Sequence, residues 1–217
     1  MVDMHREFPK LVIYDLDGVI TLKDTFTALV IRRLVRSPLR LLRALPKALT
    51  MVCGRKEEAS RKIADIALAG MTDASYCALA DQLGREIAAD TRWIRHCAVQ
   101  LIRRQHASGA RIVVATATER RLAESLLAAA EVPYDLLSAS LLDSTPSGLT
   151  VSDHRVGARK KDALLELNVP IPRAEFVTDS MTDLPTAKAA SSVVLIGASK
   201  RTQRRFRETN VALIDPS

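Results

Sequence analysis

Two aspartates, Asp15 and Asp17, follow directly on the apolar run Leu11-Val12-Ile13-Tyr14 and precede Gly18. In an extended chain, side chains two residues apart point to the same side. At the C-terminal end of a parallel strand they also lie where open α/β sheets place their ligand crevice. Such a pair can divide labour: one carboxylate, held ionised by a cation, acts as a nucleophile, and the other carries the proton that a leaving oxygen needs. Alone, Asp-x-Asp-Gly reads more often as an aspartate cap for the following helix plus a turn aspartate. A second pair changes this, because Asp179 again follows an apolar run, Phe176-Val177-Thr178, and Asp183 comes four residues later. With a helix starting near Ser180, both could converge on one point. Carboxylates gathered this closely repel unless a cation joins them, and an all-oxygen cluster with few protein ligands suits Mg²⁺.

Two further residues suit an anion beside such a metal. Thr116 ends the run Arg111–Thr116 ahead of a helical pattern, which places a hydroxyl and backbone N–H groups at a helix N-terminus that favours phosphate. Lys160 opens a helical pattern that starts at Ala158, where a cation is disfavoured and so invites a functional reason. Its neighbour Lys161 leaves the choice between the two lysines open.

The elements that must position these groups are visible as four short Val/Ile-rich runs, Lys10–Asp15, Arg111–Thr116, Glu175–Asp179 and Ser192–Gly197, with a weaker fifth at Asp135–Ala139. Apolar without alternation, the four strong runs read as strands buried on both faces of a parallel sheet. Helical patterns at Glu119–Ala130, Ala158–Leu167 and Met181–Ala190 separate the later runs, so the expected fold class is α/β, a doubly wound parallel sheet. Residues 21–90 carry no strand signal and favour helix, with breaks at Ser37-Pro38, Pro46, Gly54 and Gly70–Asp73; Thr91–Ser108 reads as a returning helix. The expected organisation is a core of residues 1–20 and 91–217 with an inserted α-helical cap of 21–90.

In order and placement these motifs resemble the haloacid dehalogenase superfamily of phosphotransferases: DLDGVI at Asp15–Ile20, VVAT at Val113–Thr116, GARK at Gly157–Lys160 and TDSMTDLP at Thr178–Pro185. The helical insertion is similar to the cap of its phosphoserine-phosphatase-like branch. The RSPLRLL, CGRKEE and ATATERRLAE segments look most like bacterial lipid-phosphate phosphatases of the phosphatidylglycerophosphate type and phosphatase-like domains fused to prenyltransferases. The resemblance implies that Asp15 attacks phosphorus to give an aspartyl-phosphate and that Asp17 protonates the leaving oxygen, then activates water. It implies Mg²⁺ held by Asp15, Asp179, Asp183 and the backbone carbonyl of Asp17, with Thr116 and Lys160 on phosphate oxygens. Thr178 stands where the family often has Gly, and Glu119-Arg120 where a Pro often lies.

Composition excludes other chemistries. Three cysteines without a CxxC pair and four histidines without HxxxH spacing argue against disulfide, thiolate-zinc and histidine-metal sites, and the cysteines read as buried free thiols. No run approaches the roughly 20 apolar residues of a membrane span, and no secretory signal is evident, so the expectation is a cytoplasmic protein. The net charge of +7 points to an anionic partner. Treated as one helix, the segment around Arg32, Arg36, Arg40, Arg43 and Lys47 gathers its basic residues on one side and its apolar ones, Ile31 to Leu49, on the other. That profile belongs either to a cap helix with a solvated basic face or to peripheral contact with an anionic membrane. Nucleic acid is not expected, since aromatic residues are only 4% and none interleaves with these arginines. The substrate classes left are a phosphorylated lipid or other amphiphile and a small soluble phosphomonoester, phosphoserine-like or a sugar phosphate. A catalytically idle module docking an anionic partner is the non-enzymatic alternative.

Overall fold

A computed structural model describes residues 10–52 and 56–214; of 48–52 and 56–57 only the backbone is described. His5, Cys53 and the break expected at Gly54 lie outside the described residues, as does the side chain of Leu49.

The apolar runs form the centre of a seven-stranded sheet. Its strands are β1 (Leu11–Tyr14), β2 (Arg111–Glu119), β3 (Leu136–Thr145), β4 (Gly148–Asp153), β5 (Glu175–Thr178), β6 (Ser192–Leu195) and β7 (Leu213–Ile214), in the order β4-β3-β2-β1-β5-β6-β7. All pairs are parallel except β3–β4. In the centre, Ile13 sits between Val113 and Phe176. Alternation sends Val12, Tyr14, Ile112 and Val114 to one face and Leu11, Ile13, Val113 and Ala115 to the other. The first face is covered by α4 (Asp73–Ala89), α5 (His96–Ala107) and α6 (Arg120–Ala129). The second is covered by α7 (Ala158–Glu166), the short α8 (Leu184–Ala187) and α9 (Lys200–Arg207), which is anchored by the fully buried Phe206. Apolar burial on both faces is why the central strands carry no polar alternation.

Helices α1 (Thr25–Val35), α2 (Pro38–Val52) and α3 (Lys56–Leu68) pack on each other and on the β3–β4 hairpin through Val30, Leu34, Ala44, Ala64, Ala67 and Val151. Asp65 of α3 accepts from the Thr150 hydroxyl at 2.7 Å, and Arg61 donates to the Val151 carbonyl at 2.8 Å, so the exposed edge of β4 is covered. The fourth helix, α4, instead lies against α6. A Cβ at Gly84 would stand 2.5 Å from Ser125 Oγ and 2.8 Å from the Leu126 amide, so this close approach requires glycine.

Several expected boundaries move. The weak fifth strand is longer, running to Thr145 and turning at Pro146-Ser147 into β4; its alternation with polar residues hid it. The run at Arg111 continues to Glu119, and α6 starts only at Arg120 because the Glu119 side chain caps it, accepting from the amides of Arg121 and Leu122. Helix α5 begins at His96, since Thr21 and Ile94 bridge and Arg95 N–H donates to the Ile20 carbonyl. Met181–Ala190 is a 3₁₀ turn (Met181–Asp183) followed by α8, and Pro46 lies inside α2 instead of breaking it. Cys97 is exposed and Cys77 half-buried, so neither is the core thiol expected.

Candidate active site

β1 and β5 are adjacent and end at the same level, which brings Asp15 beside Asp179 and Asp183. Lys160, in the first turn of α7, reaches between the carboxylates: its Nζ stands 3.1 Å from Asp15 Oδ1 and 2.8 Å from Asp183 Oδ1. Both contacts are buried. Lys161 points elsewhere, half-exposed, toward Asp162, which decides between the two lysines geometrically. Thr178 donates its hydroxyl to Asp183 Oδ2 at 2.8 Å, a side-chain role that a glycine here could not fill. Burial raises the Asp15 carboxyl well above the usual carboxylate range, partly offset by Lys160. Asp183 is held below that range, because Lys160 and the hydrogen bonds of Asp15 and Thr178 outweigh its burial. Burial alone would lower Lys160, but the two carboxylates hold it above the ordinary lysine value.

Gly18 has φ +82°, and a Cβ there would lie 2.2 Å from Asp179 Oδ2, so the turn after β1 passes directly against that carboxylate. Arg95 secures this turn, donating at 3.0 Å to the carbonyls of both Gly18 and Val19.

Asp17 lines the same cleft as Asp15 but has its own hydrogen-bond partners. Its Oδ1 accepts from the Thr25 amide at 2.8 Å and the Thr25 hydroxyl at 2.9 Å, and its Oδ2 accepts from the Thr118 hydroxyl at 2.7 Å. Burial, followed by the nearby charge of Asp24, pushes Asp17 up to about 6 against these hydrogen bonds. Thr116 is fully buried; its hydroxyl is 3.4 Å from Asp17 Oδ2 and accepts from the Thr118 amide at 3.0 Å. Because β2 runs on to Glu119, Thr116 is not at a helix N-terminus, which corrects that part of the expectation. Thr25, Thr118 and Arg95 were not anticipated from the sequence. Thr118 had a signal, since Thr116 and Thr118 alternate onto one side of an extended chain. Thr25 and Arg95 had none, being brought in by tertiary contact.

The groups open on a cleft of about 320 Å³ lined by Asp15, Asp17, Lys160, Asp179, Ser180 and Asp183, with Lys23 at its wall. Among the described residues no three carboxylate, imidazole or thiol groups stand as a ready metal-ligand set, since the arrangement present is bridged by lysine. The donor chemistry nevertheless fits an oxygen-preferring dication: five carboxylates line the cleft against one buried ammonium that touches two of them.

A second cavity of about 640 Å³ adjoins the cleft and shares with it Asp17, Asp24, Ala117, Val156 and Thr182. Its walls are largely apolar, formed by Phe26, Val30, Ile31 and Leu34 of α1, Ile63 and Ala64 of α3, and Val151. Asp17 therefore stands where a polar cleft meets an apolar chamber.

The basic residues do not share one free face. Arg32 pairs with Glu86 of α4, and Arg40 donates to the Ala69 carbonyl at 3.1 Å, while Arg36, Arg43 and Lys47 are exposed. The chain breaks between α1 and α2 at Arg36-Ser37, so the single-helix arc is not formed. Among the described residues, no helix is long and apolar enough to cross a membrane.

No curated protein matches the chain. Its backbone is similar to a protein of unknown function from Bordetella pertussis Tohama I, with TM-score 0.74, 17% identity, and 96% of this chain and 99% of that one covered. It is also similar to a phosphoserine phosphohydrolase-like protein from Francisella tularensis (TM-score 0.64, 13% identity, 94% of each chain). A third similar structure is a probable phosphoserine phosphatase from Vibrio cholerae (TM-score 0.63, 19% identity, 93% of this chain and 59% of that one). At these identities the likeness is one of fold. None of the three names a lipid phosphate, so the likeness to lipid-phosphate phosphatases rests on the segments that suggested it. The model of the haloacid dehalogenase-like hydrolases matches residues 12–188, a span that holds every carboxylate, threonine and lysine of the cleft, and the chain belongs to that family.

Proposed function

We propose that this hydrolase is a Mg²⁺-dependent phosphomonoesterase of the cytoplasm that works through an aspartyl-phosphate on Asp15 and prefers a substrate whose alcohol part is apolar or amphiphilic. The observation that carries the proposal is the position of Asp17 between the carboxylate-lined cleft and the apolar chamber. A phosphoryl group in the cleft and a leaving group in the chamber put the ester oxygen beside Asp17.

In the first step a carboxylate oxygen of Asp15 bonds to phosphorus as the ester P–O bond breaks, and Asp17 gives its proton to the departing oxygen. In the second step Asp17, now a carboxylate, takes a proton from the water that attacks phosphorus, which releases phosphate and restores Asp15. Lys160 balances charge on the phosphoryl oxygens, the Thr116 hydroxyl would bind one of them as the resemblance implies, and Thr25 and Thr118 hold Asp17 in orientation. Asp15, Asp179, Asp183 and the Asp17 carbonyl would hold Mg²⁺, which supplies the positive charge that lets Asp15 stay ionised. Helices α1 and α3, within the expected cap of residues 21–90, bound the leaving-group side.

A second reading, a soluble phosphomonoester such as phosphoserine, is favoured by the names of two of the similar structures. Hydrolysis of p-nitrophenyl phosphate with Mg²⁺ and with chelator tests the chemistry, with activity expected only in the first. A series of alkyl phosphates tests the substrate class. We expect kcat/KM to rise with chain length, by up to about fourfold per buried methylene. A preference for phosphoserine over every alkyl phosphate would favour the soluble reading, and no hydrolysis of any ester would favour the idle module.

A further inference from the structure

Among its described side chains, helix α2 is turned inside out. At about 100° per residue, Leu39, Leu41, Leu42 and Leu45 fall within an arc of about 160°, and each is exposed, Leu42 at 65% and Leu39 at 58%. The side that faces the protein carries instead Ala44, buried, and Arg40, bonded to the Ala69 carbonyl. The end of α1 continues the apolar surface with Ile31 at 53% and Val35 at 67% exposed. Isolated exposed leucines are ordinary, but six large apolar side chains exposed on two successive helices mark a surface that is covered in use.

We propose that this α1–α2 corner is a membrane-docking element, which seats Leu39, Leu42 and Leu45 in the interface of an anionic bilayer with Arg36 and Arg43 on its headgroups. Charge selects this occupant. Residues 25–52 contain no Asp or Glu and six Lys or Arg. A two-fold contact with a second copy would set this positive surface against itself, whereas an anionic bilayer offers both the apolar depth and the opposite charge. Arg32, Arg33 and Arg40, bound to the protein's own groups, are not part of the surface, whose exposed arginines are Arg36 and Arg43. Ile31 belongs both to the exposed patch and to the wall of the apolar chamber, so the docking face adjoins the place where an amphiphile's chain would enter. Docking goes beyond the catalytic proposal and does not depend on it.

Flotation with vesicles of phosphatidylcholine, alone and mixed with phosphatidylglycerol, tests the surface, with p-nitrophenyl phosphate hydrolysis as the separate readout of the catalytic site. The wild type should float with the mixed vesicles at low salt. Leu39→Ser/Leu42→Ser/Leu45→Ser should weaken flotation by about tenfold or more at any salt. Arg36→Gln/Arg43→Gln should weaken it by about tenfold at low salt and less at high salt. All these positions are exposed and away from the cleft, so thermal unfolding and soluble hydrolysis should stay as in the wild type. Absence of wild-type flotation on anionic vesicles overturns the proposal. So does a leucine triple variant that floats like the wild type, or one that only converts a dimer to a monomer by light scattering.

Discussion

At the scale of single residues, the site divides its carboxylates by environment. Asp15 shares Lys160 with Asp183, whereas Asp17 is held apart by Thr25 and Thr118. Asp15→Asn should abolish turnover, because an amide is a far poorer nucleophile. Asp17→Asn should slow alkyl phosphates by about a hundredfold or more while sparing activated aryl phosphates, whose leaving oxygens need no proton; equal losses on both would remove Asp17 from proton transfer. Lys160→Ala leaves two buried carboxylates without their counter-charge. It should cost about 3–5 kcal/mol of stability in denaturant titration as well as most of kcat, while Lys161→Ala should stay within about 0.5 kcal/mol of wild type. Asp15, Asp17, Asp179 and Asp183 were legible because strand-end positions follow from local pattern, whereas the lysine was legible only to within one residue, since Lys160 and Lys161 both open the helix. Thr25 and Arg95 were not, since what makes them part of the site is a contact across many residues of chain that no local spacing encodes.

At the scale of elements, each boundary that differed from the sequence pattern has a side-chain or turn cause. Glu119 delays the start of the expected helix by one residue by capping it, and its burial raises its carboxyl above the usual 4.5. A carboxyl with a raised folded-state pKa binds its proton more tightly when folded. Its contribution to stability is therefore complete below the unfolded value and is lost as pH rises through the folded one. Glu119→Gln keeps an accepting oxygen and removes the titration, so the difference in Tm between variant and wild type should shift in the variant's favour from acid pH to neutrality. A difference that stays constant with pH would contradict this account of the cap. The central strands were readable because burial on both faces leaves an unbroken apolar signature. Helix α9 was not readable, since its sequence KRTQRRFR is almost wholly polar and it is fixed to the sheet by Phe206. Strand β4 was missed because one of its faces meets α3 through polar groups, Thr150 among them.

At the scale of the whole molecule, the two cavities meet at Asp17, and the helices that wall the apolar one also carry the exposed leucine surface. The parallel sheet was readable from the apolar runs, but not the chamber, which exists only because α1, α3 and the β3–β4 hairpin enclose a space between them. Ile31 is exposed enough to accept a charge without loss of fold. Ile31→Asp should lower kcat/KM for a long-chain alkyl phosphate by about tenfold through the cost of apolar contact with a carboxylate, and leave p-nitrophenyl phosphate unaffected; equal effects on both would place the chain elsewhere. The central claim, phosphoryl transfer to Asp15, is tested most directly by acid-quenching the enzyme during turnover of a phosphomonoester with Mg²⁺ and mapping covalent phosphate by peptide mass spectrometry. One hydroxylamine-labile phosphoryl group is expected on the peptide that contains Asp15, and none in Asp15→Asn. Steady hydrolysis with no trapped phosphoryl group, or one trapped on another residue, would contradict it.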